Sequence, residues 1–313
     1  MAEVRVAFIF PGQGSQAVGM GRDLFEGSLA ARAVFEEADR VLGMPLSRLC
    51  FEGPAEELVK TVNVQPAVLT VSLACLRAAQ ETGRLPVPNF TAGHSLGEYT
   101  ALVAAGAMPF ADGLRLVRER GRLMQEAGER NPGGMLALLG ADVETIESLC
   151  RQSGCYIANI NCPGQVVVSG PGEAIDRARG LARDRGIKAV PLKVSGAFHS
   201  PLMGPALAGL RTALASVTFK DAEVPVVSNV TGRPFFSASQ VRDELVAQLE
   251  NRVQWQKSVE YMVSAGVTTF LEIGPGNVLS GLVKRTAPAA RVYSLGDGQT
   301  IAGALASLYS DSK

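Results

Sequence analysis

The segment Gly93-His94-Ser95-Leu96-Gly97 places a serine between two glycines, where a short apolar stretch meets a run of helix formers. This G-x-S-x-G pattern is typical of a serine on a sharp strand-to-helix turn, with its hydroxyl exposed. The free N–H groups at the start of the following helix favour negative charge, such as the oxyanion of an acyl transfer. The pattern therefore favours a nucleophilic role for Ser95.

A purely structural interpretation of the same serine stays open on this segment alone. Ser95 and Glu98 have the spacing of a capping box, in which the serine only starts a helix. A nucleophile also needs a base, and histidine serves near neutral pH. The chain has two histidines. Because adjacent side chains at a sharp turn diverge, His94 is poorly placed, and His199 is the predicted base.

The elements that must position these residues alternate between strands and helices. The apolar run Val4–Phe10 predicts a first strand, and later strands separated by helices indicate an α/β fold with a mostly parallel sheet covered by helices. Between 131 and 197 the predicted order is strand, helix, strand, strand, helix, strand, which is ferredoxin-like. We therefore expect a hydrolase-like core of residues 1–130 and 198–313, with an inserted ferredoxin-like subdomain of residues 131–197.

Composition excludes several classes of protein. The 313 residues include 30 basic and 30 acidic side chains, so no net charge favours nucleic acid or an anionic membrane. No apolar run is expected to reach the roughly 20 residues of a membrane span, and Met1-Ala2-Glu3 does not resemble a signal peptide. The five cysteines form no C-x-x-C pair, which predicts reduced thiols and no metal site. A cytoplasmic protein is expected.

A second glycine motif follows the first strand. Gly12 to Ala17 satisfies G-x-G-x-x-A, the dinucleotide-binding pattern. That fold needs a second strand ending in an acidic residue about 20 positions later, whereas Leu29–Leu42 has helical spacing. The alternative interpretation is that Gln13 supplies its amide to an active site at the end of the first strand.

Six motifs spread along the chain in order carry a family resemblance. They are G-Q-G-S-Q after the first strand, G-H-S-L-G-E-Y around Ser95, R-G-x-L-M from Arg120, A-N-x-N-x-P-G-Q from Ala158, G-A-F-H-S-P-L-M around His199 and V-Q-W from Val253. Together they resemble the malonyl-CoA:acyl carrier protein transacylase family. The resemblance spans nearly the whole chain, so it is more specific than any single motif.

The resemblance implies a mechanism. Ser95 would take the malonyl group from coenzyme A as an ester, and His199 would accept the serine proton and later activate the carrier's phosphopantetheine thiol. The family's oxyanion hole, made by main-chain N–H groups, falls on Leu96 and Gln13. The family orients its histidine through a main-chain carbonyl, which the resemblance places at Gln254.

The resemblance also implies how the acyl group is selected. Arg120 lies 25 residues after Ser95, as in the family, and a guanidinium binds a carboxylate through two parallel hydrogen bonds. Arg115, Arg118 and Arg122 on the same predicted helix are expected to face solvent. Bulk at Phe198 is associated in relatives with malonyl over methylmalonyl. Possible further pocket residues are Asn159, Asn161 and His94, although an asparagine that forms a turn is an equal alternative for the first two.

The expected partners follow from the same resemblance. They are malonyl-CoA and an acyl carrier protein, with no metal or redox cofactor, no nucleic acid and no membrane, and the protein is expected to be monomeric. A local basic patch that includes Lys193 or Lys284 and Arg285 is a hypothesis for docking an acidic carrier. The rival functions are a serine thioesterase or esterase, and a catalytically silent acyl-binding domain.

Overall fold

The computed structural model describes residues 5–310. The predictions that concern Met1 to Val4, including the strand start at Val4, lie outside the described residues. The described strands are β1 Val6–Phe10, β2 Phe90–Gly93, β3 Gly133–Leu139, β4 Tyr156–Cys162, β5 Gln165–Pro171, β6 Lys188–Pro191, β7 Val226–Val227, β8 Pro234–Phe235, β9 Thr269–Ile273 and β10 Arg291–Leu295.

Helices occupy most of the remaining chain. They are α1 Arg22–Gly27, α2 Leu29–Leu42, α3 Leu46–Glu52, α4 Ala55–Leu58, α5 Thr61–Glu81, α6 Leu96–Ala104, α7 Phe110–Arg130, α8 Val143–Ser153, α9 Gly172–Asp184, α10 Gly204–Ala215, α11 Ala238–Glu250, α12 Trp255–Ser264, α13 Val278–Thr286 and α14 Gly298–Ser310, with a 3₁₀ turn at Pro201–Met203.

The larger sheet has six strands in the order β10-β9-β1-β2-β7-β8. Every neighbouring pair is parallel except β7 and β8, which are antiparallel. Successive residues of β1 point to opposite faces, as the period of a strand requires: Phe8 and Phe10 enter one apolar core, and Ala7 and Ile9 enter another. Both faces are therefore covered, which confirms the predicted α/β class.

The smaller sheet has four antiparallel strands in the order β4-β5-β3-β6. With α8 and α9 between them, these strands follow the predicted ferredoxin-like succession. One face packs on its own helices through Leu136, Leu138 and Val168, while Met135 and Ala137 join the main core. The placement of the domain boundaries at 131 and 197 stays a prediction.

The two sheets are joined by main-chain contacts beside the site. Ile160 N donates to the carbonyl of Val253 at 2.9 Å, and Val253 N donates to the carbonyl of Ala158 at 2.8 Å. These bonds tie β4 to the turn between α11 and α12. The smaller sheet therefore forms one wall of the cleft between the two sheets.

Helix α5 is a long helix of 21 residues, from Thr61 to Glu81. By length and composition it could cross a membrane, but 83% of its apolar window is buried inside the fold, where the helix packs on α2 and α7. Pro66 lies inside this helix. This helix supplies Gln65 to the site.

Candidate active site

Ser95 occupies a sharp turn between β2 and α6. Its φ of 51° lies in the left-handed region, which is rare for residues other than glycine and marks strain at functional turns. A Cβ on Gly97 would lie 2.1 Å from the carbonyl oxygen of Phe10, and one on Gly93 would lie 1.9 Å from the Gly97 carbonyl oxygen. The two glycines are therefore required by close backbone approach, as the motif predicted.

The capping interpretation does not describe this serine. The Ser95 side chain makes no cap hydrogen bond, although Ser95 occupies the N-cap position of α6. Glu98 is directed elsewhere, because its carboxyl accepts hydrogen bonds from the main-chain N–H of Asn229 at 3.0 Å and from the side chain of Gln248. The hydroxyl of Ser95 is left to contact other groups.

His199 lies beside the serine hydroxyl. The distance from Ser95 Oγ to His199 Nε2 is 2.8 Å, although the two residues are 104 positions apart. Burial, followed by the positive charge of Arg120, lowers the pKa of His199 to about 3. The imidazole is therefore neutral near pH 7 and able to accept a proton. The structure brings together the predicted nucleophile and base.

The carbonyl that orients His199 belongs to Gln248 and not to Gln254. His199 Nδ1 lies 2.9 Å from the Gln248 oxygen, at the last turn of α11. Gln254 is the N-cap of α12, and its carbonyl accepts the N–H of Ser258 at 3.0 Å. The prediction of Gln254 was wrong because that carbonyl is used to start a helix. The predicted kind of contact, a main-chain carbonyl, is present.

Arg120 reaches the same hydroxyl from helix α7. Its Nη2 lies 3.1 Å from Ser95 Oγ, and the side chain is 1% exposed. Nη1 donates to Gln65 Oε1 at 2.9 Å and Nη2 to Gln248 Oε1 at 2.8 Å. Burial lowers the pKa of Arg120. A buried guanidinium beside the serine hydroxyl is suited to bind an anionic group of a substrate.

The other arginines of α7 lie elsewhere. Arg115 and Arg122 are exposed, and Arg122 pairs with Glu119 and Glu126 one helical turn away on either side. Arg118 is partly buried and donates to the carbonyl of Leu42. Arg120 therefore faces the site because it lies on the buried stripe of an amphipathic helix, with Leu116 and Met124 four residues to either side.

Most main-chain N–H groups at the Ser95 turn already have a hydrogen-bond acceptor. Ser95 N–H donates to Asn229 Oδ1 at 2.7 Å, Gly97 N–H to the His94 carbonyl and Glu98 N–H to the Ser95 carbonyl. Within residues 5–310, Leu96 N–H has no acceptor. Leu96 lies with Gln13 on the cleft wall, as the predicted oxyanion hole requires.

The loop after β1 is not a dinucleotide-binding turn. Its next element is the short helix α1, and the next strand to pair with β1 in chain order is β2, at Phe90. A Cβ on Gly12 would lie 2.4 Å from the carbonyl oxygen of His94, so this glycine allows the loop to pack against the serine turn. The loop thereby brings Gln13 to the cleft, in line with the alternative interpretation.

The predicted pocket residues all line one cavity of about 230 Å³, which also contains Ser95, Arg120 and His199. His94 Nε2 lies 2.9 Å from Asn161 Oδ1, and burial lowers the pKa of His94. His94 therefore contacts an asparagine and not the hydroxyl of Ser95. The predicted residues on the wall are Phe198, Asn159, Asn161 and His94.

Sequence analysis did not predict the contacts of four buried polar residues around Ser95, His199 and Arg120. Gln65 and Gln248 accept hydrogen bonds from Arg120, and Asn229 accepts one from the main-chain N–H of Ser95. Glu98 in turn accepts hydrogen bonds from Asn229 and Gln248. A usable signal existed for Gln248, since it lies three residues after Leu245 on the apolar stripe of α11. A glutamine at such a position is directed into the core.

Metal ligation has no support in the described part of the chain. Between residues 5 and 310, no group of three or more His, Cys, Asp or Glu side chains could hold an ion. All five cysteines are buried and unpaired, as reduced structural thiols would be.

A serine on a strand-to-helix elbow of an α/β fold, within hydrogen-bond distance of a histidine, defines the class of serine-dependent acyl-transfer enzymes. The sequence matches the acyl transferase domain family over residues 7–305. The chain belongs to this family and is an acyltransferase.

Individual relatives extend over almost the entire chain. The sequence is 46% identical over 310 residues to the malonyl CoA-acyl carrier protein transacylase of Bacillus subtilis, with 97% of each chain covered. The structure resembles an acyl-carrier-protein S-malonyltransferase of Bartonella henselae with a TM-score of 0.94 and 42% identity, covering 97% and 99% of the two chains. It also resembles a malonyl-transacylase solved with a type II polyketide acyl-carrier protein, with a TM-score of 0.93, 42% identity and coverage of 97% and 99%.

Proposed function

We propose that this enzyme transfers a malonyl group from malonyl-CoA to the phosphopantetheine thiol of an acyl carrier protein. One observation carries the proposal: Ser95 Oγ lies 2.8 Å from a histidine nitrogen and 3.1 Å from a buried guanidinium, inside one cleft. The first contact suits acyl transfer, and the second suits an acyl group that ends in a carboxylate. The names of the relatives agree with this substrate.

The transfer proceeds through an ester on Ser95. The neutral Nε2 of His199 accepts the hydroxyl proton as Oγ attacks the thioester carbonyl, and the proton then passes to the departing coenzyme A sulfur. In the second half, Nε2 removes the proton of the carrier thiol as the sulfur attacks the ester, and the same proton then passes to Oγ as the serine leaves. The Gln248 carbonyl at Nδ1 keeps the second ring nitrogen protonated, so that Nε2 is the basic atom.

Charge on the tetrahedral intermediate is stabilised by main-chain donors. Leu96 N–H is free and lies at the start of α6, where the helix dipole also favours an anion. Gln13 supplies the second N–H from the loop after β1. Because these donors belong to the backbone of packed elements, they need no rearrangement when charge develops.

Arg120 selects the acyl group. Its Nη1 and Nη2 form the edge that would bind the malonyl carboxylate bidentately, and within residues 5–310 its buried Nε has no hydrogen-bond acceptor. An acetyl group would leave this cation without an anion, so acetyl should be transferred poorly. Phe198, on the wall beside His199, restricts the space for an added methyl group.

Two rival functions are less well supported. A serine thioesterase or esterase would use the same ester and release it to water, but a buried arginine beside the serine is not needed for that chemistry. A silent acyl-binding domain would not require a histidine with its Nε2 at the serine hydroxyl. The transfer changes no oxidation state, and a histidine base and main-chain donors are already present for the proton and the oxyanion, so we propose that it needs no redox cofactor and no resident metal.

The surroundings of the reaction are also part of the proposal. We propose a cytoplasmic, monomeric enzyme that serves fatty acid or polyketide synthesis, without binding nucleic acid or membranes. One structural neighbour was solved with a polyketide acyl-carrier protein. Both pathways consume the same malonyl carrier thioester, so one site can serve either.

The test is covalent loading of the serine. Incubation with malonyl-CoA should add one malonyl mass to the intact protein, located at Ser95 by peptide analysis. The Ser95→Ala variant should gain nothing, and addition of a carrier protein should discharge the wild-type ester onto the carrier. The absence of a wild-type gain would refute the proposal, and release of free malonate as fast as carrier loading would favour the thioesterase.

A further inference from the structure

Gln248, in the last turn of α11, forms hydrogen bonds with the side chains of His199 and Arg120 and with the main chain of Ser95. Its main-chain carbonyl accepts from His199 Nδ1 at 2.9 Å, its Oε1 accepts from Arg120 Nη2 at 2.8 Å, and its Nε2 donates to the Ser95 carbonyl at 3.0 Å. The side chain is fully buried. Because a substitution retains the main-chain carbonyl, the side-chain contacts can be varied while the contact to His199 is kept.

The guanidinium of Arg120 donates its hydrogen bonds to neutral groups. Within residues 5–310, its hydrogen-bond acceptors are Gln65 Oε1, Gln248 Oε1 and Ser95 Oγ, none of which carries a negative charge. A buried cation without a paired anion is costly, and an incoming carboxylate relieves that cost. The neutral acceptors therefore keep the cation available to the substrate.

A protein carboxyl group lies on the other side of the Gln248 amide. Nε2 of Gln248 donates to Glu98 Oε2, while Oε1 of the same amide accepts from Arg120. Glu98 is fully buried, and its other oxygen accepts the main-chain N–H of Asn229. Burial, followed by the charge of Glu244, raises the pKa of Glu98. A direct pairing with Arg120 would stabilise the ionised form of this carboxyl group, and the resulting charge-assisted contact would compete with the substrate carboxylate for the guanidinium.

We propose that the side-chain amide of Gln248 is a specificity-determining positioning group: it separates Glu98 from Arg120 and so reserves the guanidinium for the carboxylate of the acyl group. This inference rests on the proposed function of Arg120. It assigns part of the acyl selectivity to a residue that does not touch the substrate. Arg120 can bind malonyl because the Gln248 amide accepts a hydrogen bond from Arg120 with its oxygen and donates one to Glu98 with its nitrogen.

The test compares loading of Ser95 from malonyl-CoA and from acetyl-CoA. Gln248→Glu places a carboxyl group against Arg120 Nη2 in nearly the same volume, and the malonyl-to-acetyl ratio of kcat/KM should fall about tenfold or more. Gln248→Met removes the spacer without adding charge, so Arg120 can turn toward Glu98, and the ratio should also fall. Arg120→Ala gives the reference for complete loss of selectivity.

Rescue separates this role from a merely structural one. Adding Glu98→Gln to Gln248→Met removes the competing carboxyl group and should restore most of the malonyl-to-acetyl ratio. The matched control is Gln240→Glu, the same chemical change on an exposed residue of α11, where glutamate also completes the capping box. This control should keep the wild-type ratio.

The outcomes distinguish the two proposals. Each variant is first checked for a wild-type circular dichroism spectrum and a cooperative thermal transition. Folded Gln248→Glu and Gln248→Met proteins that lose malonyl and acetyl loading equally, or a double variant without recovery, would overturn the Gln248 inference. Failure of the wild type to load malonyl would instead refute the proposed function.

Discussion

His199 is held as a neutral base by its surroundings. Burial and the charge of Arg120 lower its pKa to about 3, while the Gln248 carbonyl partly opposes this shift. An unfolded histidine takes up a proton near pH 6.5. Between these two values the unfolded chain binds more protons than the folded one, so the free energy of unfolding falls as the pH falls through that window.

The pH dependence of stability should therefore change when His199 is replaced. Between pH 7.5 and pH 5.5, this residue should account for a loss of about 1.4 kcal/mol in the free energy of unfolding. Urea denaturation of wild type and His199→Gln at both pH values measures this difference. Because His94 is retained in both proteins, an equal drop in the two would show that His199 is not kept neutral by the fold.

At the scale of elements, the serine turn depends on how closely α6 approaches β1. Gly97 lies in the first turn of α6, and its missing side chain allows the helix to contact the carbonyl of Phe10. The next turn contributes Tyr99 and Leu102 to the core, which fixes the direction of the helix axis. The position of the nucleophile is therefore set by backbone packing and not by a flexible loop.

Alanine substitutions at two helical glycines should have opposite effects. Gly97→Ala should lower the free energy of unfolding by about 3 kcal/mol or more, since the new methyl group meets backbone that cannot move freely. Gly180→Ala, in α9 with nothing within 4 Å of the added Cβ, should raise it by about 0.5–1 kcal/mol. Chemical denaturation measures both changes, and a Gly97→Ala protein as stable as wild type would contradict the close approach.

For the whole molecule, the cleft opens between the main core and the smaller sheet. Leu192 and Val194 line it on the side of the smaller sheet, and Leu279 and Leu282 line it from α13. Two lysines near these wall residues are exposed: Lys193 lies between Leu192 and Val194, and Lys284 lies two residues after Leu282. Arg285 instead links α13 to the turn between β4 and β5, because it donates to Gln165 Oε1 and to the Pro163 carbonyl.

Charge reversal at Lys193 and Lys284 should weaken carrier binding without affecting chemistry. Lys193→Glu with Lys284→Glu should raise the KM for an acidic carrier about fivefold, an effect that decreases with added salt. Loading of Ser95 from malonyl-pantetheine, which lacks nucleotide phosphates, should be unchanged. Lys220→Glu, at an exposed lysine far in sequence from the residues of the cleft wall, is the control. Equal KM values in all three proteins would exclude the predicted docking patch.

The errors of sequence interpretation concern contacts made over long distances. The hydrophobic periodicity was sufficient to predict the parallel sheet and the ferredoxin-like succession, because period and length are local properties. The orienting carbonyl was placed six residues too late, since every residue has a carbonyl and only the packing of α11 decides which one faces His199. Strand β8 has two residues and offers no period to detect.

The sequence by itself determined the strand-to-helix turn that carries Ser95, the order of the elements and, through motif resemblance, the identities of His199 and Arg120. Only the tertiary structure decided that Gln248, Gln65, Asn229 and Glu98 hold these three in place. The reason is physical: a buried amide or carboxyl group must find its partners across the fold, and those partners come from α5, α6, α7, α11 and the turn after β7.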